Sequence, residues 1–170
     1  MKKIFIVGIV ASGKTTLAQR LSEVLAIPWY ELDSIVHHLT ETERYKRNAE
    51  EQLEVIMDIN RNGMWIFEGT DRSSYRCLFD MADTIIFLDT PLRKRKIRIV
   101  TRFVKQNLGI EKCAYKPDLT MLKMMFKWTR DFEKNRSDLE ARLQTHKEKL
   151  IRLYDNNDLA FVQSYQHTTG

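Results

Sequence analysis

The stretch that most limits what this chain can become is Gly8-Ile9-Val10-Ala11-Ser12-Gly13-Lys14-Thr15-Thr16, which fits the pattern G-x-x-x-x-G-K-[ST] at every required position. Its surroundings are equally restrictive. The apolar run Ile4-Phe5-Ile6-Val7 precedes it, and Leu17, Leu21 and Leu25 follow four residues apart, the stripe of a helix that packs on a sheet. A strand, a tight glycine turn and a helix start aim successive backbone N–H groups at one point and add the helix's positive end. Such a loop binds a polyphosphate. Gly8, Ala11, Ser12, Gly13, Lys14, Thr15 and Thr16 are its expected nucleotide contacts, with Lys14 on the β- and γ-phosphates and the Thr15 hydroxyl on Mg²⁺.

The rest of the chain alternates strand and helix patterns, which implies a parallel sheet. Ile27-Pro28 ends the first helix, and Trp29-Tyr30-Glu31-Leu32 reads as a short second strand ending at Asp33, with Ser34 able to cap the next element. Residues 42–61 read as a helix with Leu53, Ile56 and Met57 on its buried side and Asn60 as a further candidate. Asn62-Gly63 stops it, and Met64-Trp65-Ile66-Phe67 forms a third strand closing on Glu68-Gly69. A short helix from Ser74 to Met81 leads to the run Thr84–Asp89, continuous as in a strand covered on both faces.

Pro91 suits the first turn of a helix reaching Gln106, and residues 107–117 read as irregular. The next helix begins near Asp118, with Leu119, Leu122, Met125, Phe126, Trp128 and Phe132 on its apolar side. Residues 138–154 allow one long helix, yet a last strand at Leu150–Tyr154 completes the sheet better. Asn156 or Asn157 then caps a final helix through Leu159, Phe161 and Val162.

At 170 residues the expectation is one domain over residues 1–170. Hydrophobic residues at 43% and charged residues at 30% point to a soluble globular chain, with no apolar run long enough to span a membrane. Met1-Lys2-Lys3 before Ile4 to Ala11 imitates a secretory leader, but the run passes straight into Gly13-Lys14-Thr15-Thr16, residues a cleaved leader does not need. Cys77 and Cys113 lie far apart without a C-x-x-C, so both read as reduced thiols of a cytoplasmic protein. The net charge of +5 favours an anionic partner, and a nucleotide and a nucleic acid satisfy it alike.

A phosphate loop defines a nucleotide site and leaves the reaction open. No N-K-x-D stretch reads guanine and no L-S-G-G-Q stretch marks a transporter ATPase, so a small kinase is the favoured class. Glu68-Gly69-Thr70-Asp71-Arg72 resembles the acidic-Gly-x-x-Arg stretch that closes the third strand of adenylate kinases, and Arg98-Ile99-Val100-Thr101-Arg102 resembles their Arg-x-x-x-Arg before the lid. Leu32-Asp33, Trp65-Ile66-Phe67-Glu68-Gly69, Ala82 to Asp89 and Trp128 extend the resemblance, over nearly the whole chain, to the small phosphate-loop kinases called DNA topology modulation (FlaR-related) proteins.

The resemblance implies an α/β fold of the P-loop NTPase kind, three-layer α/β/α and nucleoside-monophosphate-kinase-like. Its five-stranded parallel sheet would run in the order 2-3-1-4-5, with ATP at the strands' carboxyl ends. Residues 34–61 would then form the acceptor-binding segment and residues 103–136 the lid. Residues 34–61 do not match the AMP-binding segment of adenylate kinases, so the acceptor stays open.

In this reading the chain is an ATP- and Mg²⁺-dependent phosphotransferase acting on a nucleotide or another small acceptor. Lys14, Asp33, Arg98 and Arg102 are its catalytic candidates. Asp33 is also a candidate acceptor contact, as proton acceptor or organiser of a Mg²⁺-bound water. Glu68 would hold Mg²⁺ through water, while Asp89 reads as a helix cap. Arg93 to Lys96 read as a solvated helix face, whereas Arg98 and Arg102, four apart, share one face toward the nucleotide. Arg72, with Arg130 and Arg136 from the lid, would hold the acceptor. The alternative is an ATP-binding, DNA-binding regulator that uses the basic 93–105 helix on phosphates; a nucleic acid is the less favoured partner, because no helix-turn-helix signature accompanies that helix.

Overall fold

Strand β1 (Lys3–Val7) lies at the centre of a parallel sheet because Ile4, Phe5, Ile6 and Val7 are all apolar and all buried, a pattern only a strand covered on both faces permits. The computed structural model describes residues 2–39, 44–110 and 118–157. After β1 come α1 (Lys14–Leu25), β2 (Trp29–Glu31), α2 (Leu32–Val36), a hairpin of β3 (His37–Leu39) and β4 (Arg44–Lys46), and α3 (Ala49–Arg61). Then follow β5 (Trp65–Gly69), a 3-10 turn at Ser73–Tyr75, α4 (Cys77–Met81), β6 (Thr84–Leu88) and α5 (Leu92–Asn107). Helices α6 (Leu119–Lys134) and α7 (Arg136–Thr145) lead to β7 (Leu150–Leu153).

The main sheet has five strands in the order β2-β5-β1-β6-β7, and all four pairings are parallel. Numbered among themselves these strands run 2-3-1-4-5. The antiparallel β3-β4 pair, which the sequence reading lacks, forms a separate sheet and moves the later strands on by two in chain order.

Alternation along each strand divides the core. Phe5, Val7, Trp65, Phe67, Ile85 and Phe87 face a layer built from α2, α3, α4 and α7. Ile4, Ile6, Ile66, Ile86 and Leu88 face Leu17, Ala18 and Leu21 of α1. Because parallel neighbours in register point to the same side, this parity also decides where each strand's polar end is aimed.

Several local expectations change. Leu32 opens α2 instead of closing β2, so Asp33 sits in a helical first turn, and Ser34 does not cap it. The helix expected over 42–61, of which residues 42 and 43 lie outside the described residues, starts at Ala49, since residues 44–46 pair as β4. Asn48 closes a capping box there: its N–H donates to Glu51 Oε2 at 2.8 Å, and Glu51 N–H donates to Asn48 Oδ1 at 3.0 Å. The buried face of α3 carries Gln52 and Ile56, whereas Leu53 and Met57 are exposed. Gln52 tolerates burial because its amide donates to the Arg47 carbonyl at 2.7 Å.

On α6, Met125 and Thr129 are buried while Leu119 and Trp128 face outward. Residues 136–145 form α7, a helix distinct from α6, before the expected last strand pairs with β6. Residues 111–117, which include Cys113, and the proposed final helix from residue 158 onward lie outside the described residues. Among the described residues no helix is long and apolar enough to cross a membrane.

Candidate phosphate-binding site

The loop between β1 and α1 is shaped by two close approaches. A Cβ on Gly8 would lie 2.9 Å from the Leu88 carbonyl and 2.9 Å from Ser12 Oγ. Gly13 has φ +100°, and a Cβ there would fall 2.8 Å from Asn156 Cγ and 2.9 Å from Arg98 Nη1. Ala11 is also left-handed, at φ 60°. The segment between Ala11 and Gly13 thus turns back on itself directly before the N-terminus of α1, the geometry that gathers N–H groups for an anion.

Lys14 is partly buried, and its Nζ donates to the Ile9 carbonyl at 3.1 Å. Burial pulls its ammonium below the ordinary value, against the opposing field of Glu68, Asp33 and Glu31. Thr15 Oγ1 donates to Glu68 Oε1 at 2.6 Å. Glu68 reaches it because residues 66 and 68 of β5 share the face toward α1. Glu31 is the register partner of Glu68 and so points to the same side. Its carboxyl is raised, first by burial and then by Glu68 and Asp33. Glu31 is not among the candidates read from the sequence; the signal for it is its place at the end of a strand, level with Glu68 in the next.

Arg98 packs against the loop from the far side. Its Nη1 donates to the Ser12 and Ala11 carbonyls and its Nη2 to Asn156 Oδ1, with Asp155 Oδ1 at 3.6 Å. A cleft of about 260 Å³ opens there, lined by Ala11, Gly13, Thr16, Arg98, Arg102 and Asn156 among others. The four-residue spacing thus brings Arg98 and Arg102 to one cleft. Asn156, read from the sequence as a helix cap, instead joins the turn after β7 to this site. That turn is also held by Arg20, which donates to the Asn156 carbonyl and to Asn157 Oδ1.

On the other side of the loop, Asp33 is exposed and accepts a 3.0 Å hydrogen bond from Arg72 Nη2. The two meet where the chain leaves β2 and β5. Arg130 is exposed on α6 and takes part in none of these contacts.

Two expectations change in this region. Asp89 does not cap α5, which has no side-chain cap; it is nearly buried and pairs with both Arg136 and Arg152. The parity of β6 explains it, since Asp89 follows Phe87 onto the face opposite α1 and Arg152 stacks 4.8 Å from that ring. Arg136, the other partner of Asp89, also pairs with Glu140. Arg95 is not on a solvated face: it is 1% exposed and bonded to Thr90 and Glu133.

The fold and the loop make this a phosphate-loop α/β protein. It is similar in fold to a shikimate kinase from Acinetobacter baumannii, solved in complex with shikimate, with a TM-score of 0.58 and 18% identity over 99% of this chain and 95% of that one. An uncharacterized protein from Eubacterium ventriosum matches with a TM-score of 0.51 and 15% identity over 99% of both chains. At these identities what is shared is the fold. No protein-family model and no curated protein matches the chain.

Proposed function

We propose that this chain is an ATP- and Mg²⁺-dependent phosphotransferase that transfers the γ-phosphoryl group to a small acceptor. The observation that carries the reading is the Thr15–Glu68 contact at 2.6 Å, which sets a hydroxyl and a carboxylate together beside Lys14 at the mouth of the phosphate loop. The residues fit the absent groups. The left-handed turn at Ala11 and Gly13 stands directly before the N-terminus of α1 and beside the cleft lined by Thr16, Arg98 and Arg102. Mg²⁺ takes one or two ligands from a protein and the rest from phosphate and water, which a hydroxyl and a carboxylate side by side at Thr15 and Glu68 fit. Mg²⁺ held by Thr15 and, through water, by Glu68 would neutralise charge on the transferred phosphoryl group.

The chain's own residues divide the remaining work. Gly8 and Ala11 to Thr16 hold the polyphosphate, and Lys14 brings a desolvated ammonium to its β- and γ-oxygens, where low water content strengthens the interaction. Arg98 and Arg102 line the cleft on the nucleotide side. Asp33 accepts the proton of an acceptor hydroxyl, and Arg72, its partner, orients the acceptor. Arg130 contacts the acceptor from α6, while Arg136 serves the framework through Asp89 and Glu140. The A. baumannii enzyme's shikimate complex makes hydroxylated acids a natural acceptor class to try. Leu32-Asp33, Trp65 to Gly69 and Ala82 to Asp89 support membership of the DNA topology modulation (FlaR-related) group.

The basic helix offers less to DNA than its composition promises. Arg95 is buried, Lys94 pairs with Asp155 and Arg98 lies on the phosphate loop. The deciding experiment is ADP release from Mg-ATP across a panel of nucleoside monophosphates, nucleosides, sugars and shikimate-like acids, with Lys14→Ala as control. Acceptor-stimulated turnover lost in Lys14→Ala is the expected result. Turnover that ignores every acceptor, or that survives the substitution, overturns the reading.

A further inference from the structure

The phosphate loop is gripped from behind by residues that touch no nucleotide in the proposed site. The Ser12 carbonyl accepts from Thr90 Oγ1 at 2.8 Å as well as from Arg98. Thr90, 1% exposed, belongs to the connection between β6 and α5, and its own carbonyl accepts from Arg95 Nε at 2.8 Å. The Arg95 guanidinium then pairs through Nη2 with Glu133 of α6 and lies 5.7 Å from the centre of the Phe132 ring. A hydrogen-bonded chain therefore runs from α6 through α5 and the β6–α5 connection to the loop.

Two features separate this chain of contacts from ordinary packing. Burying a guanidinium is costly, and an apolar side chain would fill the same space without the penalty. Arg95 even leaves Nη1 without a partner among the described residues. In addition, Ser12 stands between the left-handed residues Ala11 and Gly13, where no helix or strand ladder orients the backbone. The direction of its carbonyl therefore sets how the neighbouring N–H groups are aimed.

We propose that Thr90, Arg95 and Glu133 are positioning residues that hold the Ser12 peptide in its phosphate-binding orientation, so that nucleotide affinity depends on how α6 packs against α5. The inference rests on Gly8–Thr16 being the nucleotide's phosphate site. Glu133 contributes through Arg95, and Arg95 through Thr90.

The test uses the full chain and three variants: Thr90→Val, which keeps the shape and removes the hydroxyl; Thr90→Ser, which restores it; and Glu133→Gln. Amide hydrogen exchange of residues 9–13 is compared with that of β1 in the nucleotide-free protein, and Mg-ATP affinity is measured by calorimetric titration. Loss of one buried hydrogen bond predicts loop exchange about five-fold faster in Thr90→Val and a Kd weaker by about the same factor, with β1 unchanged. Thr90→Ser returns both to wild type, and Glu133→Gln shifts both in the direction of Thr90→Val. Unchanged loop exchange in Thr90→Val overturns the proposal, as does failure of Thr90→Ser to restore it. A parallel rise in β1 also overturns it, because that is loss of global stability. A wild-type chain that binds no nucleotide would remove the phosphate-site reading instead, and loop exchange would still decide the positioning chain.

Discussion

Thr15 Oγ1 donates a 2.6 Å hydrogen bond to Glu68 Oε1, tying the first turn of α1 to the carboxyl end of β5 across the mouth of the phosphate loop. If the pair organises Mg²⁺ as proposed, Thr15→Val and Glu68→Gln each lower acceptor-dependent turnover by about 10²-fold or more. Because the two act as one unit, the double variant loses little beyond either single one. Thr15→Ser keeps most of the activity. ADP release measured across a Mg²⁺ titration checks all three expectations, and additive losses would separate the two residues' roles.

Asp33 and Arg72 lie 3.0 Å apart with side chains 58% and 45% exposed, so their pairing contributes less than about 1 kcal/mol to stability. A catalytic Asp33 is worth far more to the reaction, about 10²- to 10⁴-fold as a general base. Asp33→Asn is therefore expected to leave the urea midpoint nearly unchanged while turnover collapses. An equal loss of both would assign Asp33 to the framework.

Arg136 and Arg152 both bridge Asp89 and Glu140, and the arrangement holds the Glu140 carboxyl below its ordinary value of 4.5, chiefly through the hydrogen bond from Arg152. A carboxyl lowered on folding adds stability above about pH 4.5 and forfeits it as the pH falls through the folded value. Glu140→Gln should be less stable than wild type at pH 7, with the difference shrinking toward acid. Asp89→Ala removes the less exposed of the two carboxylates while both arginines keep Glu140, and costs about 2 kcal/mol. Denaturant titrations between pH 3 and 7 measure both.

Glu31 has the opposite sign. Burial, then Glu68 and Asp33, raise its carboxyl above 4.5, so its contribution is present below that pH and is lost as the pH rises through the folded value. Glu31→Gln is expected to melt higher than wild type at pH 8 in the nucleotide-free protein and equally at pH 4. Thermal denaturation at the two pH values decides it, and a lower melting temperature at pH 8 would mean that the Glu31 charge is needed to balance Lys14.

Much of the architecture was legible because it is written in local signals. Ile4–Val7, Trp65–Phe67 and Thr84–Leu88 are unbroken apolar runs, and Leu17 with Leu21 carries a helical period, so these elements fall close to their expected places. The pair of His37–Leu39 with Arg44–Lys46 escaped because its strands are three residues each, too short for a periodic signal. The outward turn of Leu53, Met57 and Trp128 escaped because neighbouring positions on the same helices, Ile56 and Met125, supply the buried contacts.

Sequence alone determined the phosphate loop, since the two glycines, the lysine and the threonine must occupy fixed places on one turn to gather N–H groups around an anion. It also determined that Arg98 and Arg102 share a helical face. Tertiary structure decided which charges meet. Strand parity and register turn Glu68 and Glu31 toward α1 and Asp89 away from it, although all three stand at the carboxyl ends of strands of one sheet. Packing of α6 on α5 buries Arg95, and the turn after β7 carries Asn156 to Arg98 across 58 residues of chain. Such pairings depend on distances between elements far apart in the chain, which no local pattern of residues encodes.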